Sequence, residues 1–85
     1  MPAEITYYAI VGGGRTADNP YGLVRRLEDH EGPSDESLRR DLTWGFTTAI
    51  VDWEHGSYDD ELVEISHEQA SKIIEYFRER WAAEP

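Results

Sequence analysis

Seven carboxylates, Asp52, Glu54, Asp59, Asp60, Glu61, Glu64 and Glu68, fall within 17 residues, and no Lys or Arg interrupts them. Acids gathered in this way can hold a metal ion, act as an acid–base pair, or receive a basic partner. Their mutual repulsion costs stability, so the run demands one of these explanations, or plain solubility. A metal site needs ligand spacing. Asp52, Glu54 and His55 offer oxygen and nitrogen donors, but strand alternation turns His55 away from the two acids. No H-x-x-x-H, H-E-x-x-H or EF-hand spacing occurs, and His30, His55 and His67 are scattered. The chain has no cysteine, which excludes thiolate metal sites, disulfides and a Cys nucleophile. Catalysis finds equally little: there is no G-x-S-x-G elbow, and Asp52 with Glu64 reads as a solvated edge or as counter-ions for Arg25 or Arg26. No catalytic residue, cofactor or metal is expected, and the chain does not read as an enzyme.

Two other groups carry potential chemistry. Gly12-Gly13-Gly14-Arg15 follows a strand-like run, as phosphate loops do, but it has neither phosphate-loop spacing nor a helix start behind it. It reads as a hairpin loop with Arg15 at the tip. Arg25-Arg26 and Arg39-Arg40 are the only basic doublets, and both sit among acids. In a strand Arg25 and Arg26 point to opposite faces, and one of them is expected to pair with an acid across the sheet. Asp35 and Glu36 precede Arg39 and Arg40 by four residues, which suits ion pairs along a helix.

The elements that position these residues follow from local pattern. Ile5 to Val11 is rich in β-branched and aromatic residues and ends at glycine, a strand with a breaker behind it. Asn19-Pro20-Tyr21-Gly22 suits a turn, and Leu23 to Glu28 returns as a second strand. Ser34 reads as the N-cap of a short helix over Asp35 to Leu42, with Leu38 and Leu42 stacked on one side. Phe46 to Trp53 reads as a third strand, His55-Gly56-Ser57 as a turn, and Glu61 to Ile65 as a fourth strand. Ser66 and Gln69 open a capping box, and Ala70, Ile73, Ile74, Phe77 and Trp81 recur at helical spacing. The predicted fold class is therefore α+β: a four-stranded antiparallel sheet in the order β-β-α-β-β-α, with the long C-terminal helix on one face and a short helix after strand 2.

Alternation along the third strand puts Ala49, Val51 and Trp53 on its packed side, with Ile50, Asp52 and Glu54 opposite. The first strand is apolar on both sides: Ile5, Tyr7, Ala9 and Val11 against Tyr8 and Ile10. One amphipathic helix covers one face. Tyr8, Ile10 and Ile50 then require a second cover, from the short helix or from another protein.

Size and charge bound the remaining choices. Eighty-five residues make one domain, residues 1–85. The formal charge of −10 opposes direct nucleic-acid binding and anionic lipid, whose recognition rests on Lys and Arg. Acid is concentrated late: residues 1–42 carry 8 acids and 5 bases, residues 43–85 carry 10 and 3. No stretch is long and apolar enough for a membrane span, no signal peptide is evident, and a small domain without cysteine fits the cytoplasm.

Tyr7-Tyr8-Ala9-Ile10-Val11, Asn19-Pro20-Tyr21-Gly22, Leu38-Arg39-Arg40-Asp41-Leu42-Thr43-Trp44 and Ile73-Ile74-Glu75-Tyr76-Phe77-Arg78 resemble segments of small uncharacterised proteins of actinobacteria and their phages. That resemblance implies no activity. The residues themselves favour a small acidic protein-binding domain, regulatory or accessory, with a homodimer as one form of it. Tyr8, Ile10 and Ile50 would supply the apolar contact and Asp52, Glu54 and Glu64 the acidic flanks. The alternative is an inhibitor that mimics nucleic acid, with Asp52 and Glu54 about 7 Å apart on one strand face and Glu64 on the next strand.

Overall fold

The computed structural model describes residues 4–12, 14–57 and 60–83. Gly13 of the glycine run and Asp59 of the acidic run lie outside the described residues. The elements in chain order are β1 (Glu4–Val11), β2 (Gly22–Asp29), β3 (Gly32–Leu38), β4 (Trp44–Phe46), α1 (Ala49–Glu54), β5 (Glu61–Ile65) and α2 (His67–Ala83). The strands form one antiparallel sheet in the order β4-β3-β2-β1-β5. The α+β class, the first two strands, β5 and the long C-terminal helix match the sequence pattern. The strand count and the two middle elements do not.

Residues 35–38 are strand, not helix. The β2–β3 turn explains why: the Asp29 side chain accepts the Glu31 N–H at 2.8 Å, and Gly32 takes a φ of 109° that other residues avoid. The chain therefore reverses after Asp29, and β3 lies against β2 with Arg25 opposite Glu36 and Arg26 opposite Asp35. Two charge-assisted pairs across the sheet replace the expected pairs along a helix. The β3–β4 loop turns at Leu42, whose φ of 69° is an uncommon conformation for a branched side chain.

Residues 47–54 are likewise not strand. Only Trp44–Phe46 pairs with β3, and a helix begins directly afterwards. The Thr47 hydroxyl accepts the Ala49 N–H at 3.2 Å, and the Thr48 hydroxyl donates to Asp52 at 2.9 Å, so both threonines favour the turn. Helical spacing sets Ala49, Ile50 and Trp53 on one side, where all three pack on the sheet. Burial beats the strand preference of Ile50-Val51. The consequence is an inversion of the expected sides: Ile50 is 0% exposed, whereas Val51 is 40% exposed.

The two sheet faces have separate cores. On one, α2 lays Ala70, Ile73 and Phe77 over Ala9, Val11, Leu23 and Ile65. The Ser66 hydroxyl accepts the Gln69 N–H at 3.1 Å, fixing where this helix starts. On the other, α1 brings Ala49 and Ile50 onto Val24 and Leu62, with Tyr8, Ile10 and Trp53 around them. The chain leaves β4 at one edge and reaches β5 at the other, and α1 lies between them over this second face. The inner strand β1 is apolar on both sides because both sides are covered. The cover comes from the chain itself, through a helix the sequence pattern placed elsewhere.

Candidate functional site

Arg26 is the centre of polar structure on the α1 side of the sheet. β2 sends its side chain to that face, where β3 presents Asp35 and the end of α1 presents Glu54. The guanidinium donates to Asp35 through Nε at 2.8 Å and Nη2 at 3.0 Å, a two-pronged pair, and to Glu54 through Nη2 at 3.0 Å. Asp35 is 8% exposed, the one buried charged residue described. The Asp35 hydrogen bonds hold the Arg26 proton more firmly than in a free side chain, burial opposes them, and Glu54 adds to the hold. A permanently charged strap thus joins two strands to α1.

Beside the strap a cleft of about 520 Å³ opens between β3, β4 and α1. Pro33, Phe46 and Val51 give it apolar walls, Thr47 and Thr48 add hydroxyls, and Asp35 and Asp52 set two carboxylates beside the guanidinium of Arg26. Phe46 is 81% exposed on a three-residue edge strand, an unusual place for a phenyl ring. Its strand neighbour Trp44 is half-buried against the α2-side core, with the Arg25 guanidinium over its ring at 4.0 Å. Arg25 in turn donates to Glu36 at 2.7 Å and 2.9 Å, on the opposite sheet face from Arg26.

The residues expected to meet a partner do not form one surface. Ile50 is wholly buried and unavailable, while Tyr8 and Ile10 are half-buried around it. Burial, reinforced by the charge of Glu64, raises the Tyr8 hydroxyl pKa above its ordinary value, although Arg26 opposes the shift. Asp52 and Glu54 are two apart on a helix and diverge: Asp52 accepts from Thr48 at the cleft, Glu54 from Arg26. Glu64 lies opposite Tyr8 on edge strand β5. The row of evenly spaced carboxylates on which the mimicry reading rested is absent. Glu61 and Glu64 instead charge an outer strand, a pattern that discourages edge-to-edge association.

Of the expected residues, Asp52 alone lines the cleft. Phe46, Val51 and Pro33 escaped the sequence reading because a strand through Phe46–Trp53 made Val51 a core position. An exposed Phe beside a Thr-Thr helix start was the available signal. His30 lies on the β2–β3 turn, His55 follows α1, and His67 opens α2, where its Nε2 donates to the Ile5 carbonyl at 2.8 Å. Among the described residues no cluster of three or more His, Asp or Glu is arranged to hold a metal ion. No helix among them is long and apolar enough to cross a membrane. In comparisons with known proteins the chain matches no protein family, no curated protein and no solved structure.

Proposed function

We propose that this chain is a protein-binding module and that the β4–α1 cleft receives a segment of a partner carrying a cationic side chain beside an apolar one. The exposure of Phe46 at the mouth of an acid-rimmed cleft carries this reading. A phenyl ring left in water forgoes roughly 1.5–3 kcal/mol of burial, which a partner can recover. Asp35 and Glu36 are already engaged by arginines. Asp52, bonded to a neutral hydroxyl, keeps a full charge for an incoming cation. Regulation or assembly, rather than catalysis, is the role that suits such a surface.

Titration of isotope-labelled protein with short peptides containing Arg next to Leu tests it, against matched peptides with Gln in place of Arg. Resonances of Phe46, Val51 and Asp52 should move with the first set and much less with the second, and Phe46→Ser should abolish the response. Shifts spread over other surfaces, or equal shifts with both sets, would overturn the assignment. Light scattering closes the remaining option. A concentration-dependent doubling of mass that Phe46→Ser abolishes would give the cleft to a second copy of the chain instead.

A further inference from the structure

β5 ends the sheet on one side, and among the described residues no strand lies beyond it. Which of its backbone groups face outward follows from the pairing. The Thr47 N–H donates to the Asp35 carbonyl at 3.1 Å, so Asp35 turns its backbone groups away from β2. The registers run unbroken from β3 to β5, and alternation carries that orientation across the sheet. Arg26 faces β1, Tyr7 faces β5, and Leu62 and Glu64 point their N–H and C=O groups outward. The Ile5 carbonyl has the orientation this requires, since it bonds His67 just where β5 ends. Among the described residues no loop backbone bond reaches Leu62 or Glu64. The opposite edge offers less: β4 has three residues, and the β3 residue that faces out beyond it is Pro33, which has no N–H.

We propose that the outer edge of β5 takes up an extended, basic segment of a protein partner as a further antiparallel strand. The backbone groups of Leu62 and Glu64 supply the ladder, and side chains on both faces select the sequence. Glu61 and Glu64 are exposed, on opposite faces and three positions apart, and Val63 between them is 37% exposed. An added antiparallel strand therefore places one cation opposite Glu64 and a second three residues later, opposite Glu61. The two positions between them meet Val63 and Leu62, which suits β-branched residues. The pattern that fits is Lys-Val-Thr-Lys. The same carboxylates oppose the other ready occupant of an open edge, a second copy, because each chain carries −10 and brings its own Glu61 and Glu64. That charge also draws a basic segment in from a distance.

The test titrates the isotope-labelled full chain with the acetylated peptide Thr-Lys-Val-Thr-Lys-Val. Two control peptides are matched to it: one has Glu for both Lys, and one is N-methylated at the first Lys and the Thr that follows it. The second control keeps the charge and loses the N–H groups that would face β5. The basic peptide should shift the Leu62 and Glu64 amides, and at ten times its dissociation constant slow their hydrogen exchange about tenfold. Neither control should do so. Joint replacement Glu61→Gln with Glu64→Gln, at exposed positions, should weaken binding about fivefold, the yield of two opposite-charge cross-strand pairs. Equal binding of either control, or shifts confined to Phe46, Val51 and Asp52, would overturn the proposal. So would protection of Leu62 and Glu64 that rises with chain concentration in the absence of peptide, which would give the edge to a second copy. The edge shares no residue with the lining of the β4–α1 cleft, so either can fail alone.

Discussion

Replacing Asp35 by alanine leaves the Arg26 guanidinium, 14% exposed, without its two-pronged partner. Removing one member of a buried ion pair costs about 3–5 kcal/mol. Glu54 remains at 3.0 Å to hold part of the charge, which puts the expected loss near the lower end, about 3 kcal/mol. Glu54 is 47% exposed, and a solvated pair contributes only about 0.2–1 kcal/mol, so Glu54→Ala should lose far less. Urea unfolding followed by tryptophan fluorescence separates the two. With a slope of about 1 kcal/mol per molar urea for a small domain, Asp35→Ala should lower the midpoint by about 3 M and Glu54→Ala by less than about 1 M. Raised salt should shrink the Glu54 effect and leave that of Asp35 nearly intact. Joint replacement Arg26→Met with Asp35→Leu should regain most of the lost stability, because no buried charge is then stranded. Equal losses for Asp35→Ala and Glu54→Ala, or a loss below about 1 kcal/mol for Asp35→Ala, would refute the account of the strap.

Three further outcomes are expected. Ile50→Ala should cost about 2–5 kcal/mol and Val51→Ala under about 0.5 kcal/mol, since one is buried and the other 40% exposed; the reverse order in chemical denaturation would return residues 49–54 to a strand. Tyr8 holds its proton more tightly in the folded chain than in the unfolded one, through burial first and Glu64 next, with Arg26 opposing and Glu54 and Glu28 adding. Its contribution is complete below about pH 10 and lost as pH rises through the higher folded-state value, so the phenolate absorbance that Tyr8→Phe removes should appear late in an alkaline titration. A midpoint at or below that of free tyrosine would contradict this. Ser66→Ala should cost about 1 kcal/mol by removing the acceptor for Gln69 N–H, measured as a lowered urea midpoint with an unchanged slope, and no change would mean the cap is idle.

What was legible in the sequence was what neighbouring residues enforce. The run Ile5–Val11 stops at glycine, and Ala70, Ile73 and Phe77 repeat with a helical period behind Ser66, so β1 and α2 follow from local pattern. Asp29-His30-Glu31-Gly32 carried the turn that makes β3, with Asp first and Gly last, but the acid-first spacing of Asp35 and Glu36 to Arg39 and Arg40 imitates a helix equally well. Tertiary pairing decided between them, because only the sheet brings Arg25 to Glu36 and Arg26 to Asp35. The cleft was hidden for the same reason. Whether Ile50 or Val51 faces inward depends on a helix held by the apolar second face of β1, β2 and β5, and no stretch of local sequence encodes that contact.

Local pattern is enough to specify an acidic α+β chain with a doubly apolar first strand and a helix at its end. Tertiary structure alone decided where the charges act. It set Glu54 in a strap, Asp52 on a cleft rim and Glu61 and Glu64 on an edge strand, and it brought Arg15, Arg40 and Arg80, 25 and 40 residues apart, to line one pocket. The physical reason is reach. Hydrophobic periodicity is felt over a turn or a strand pair, whereas a guanidinium chooses its partner from whatever the folded backbone sets within about 3 Å, at any distance along the chain.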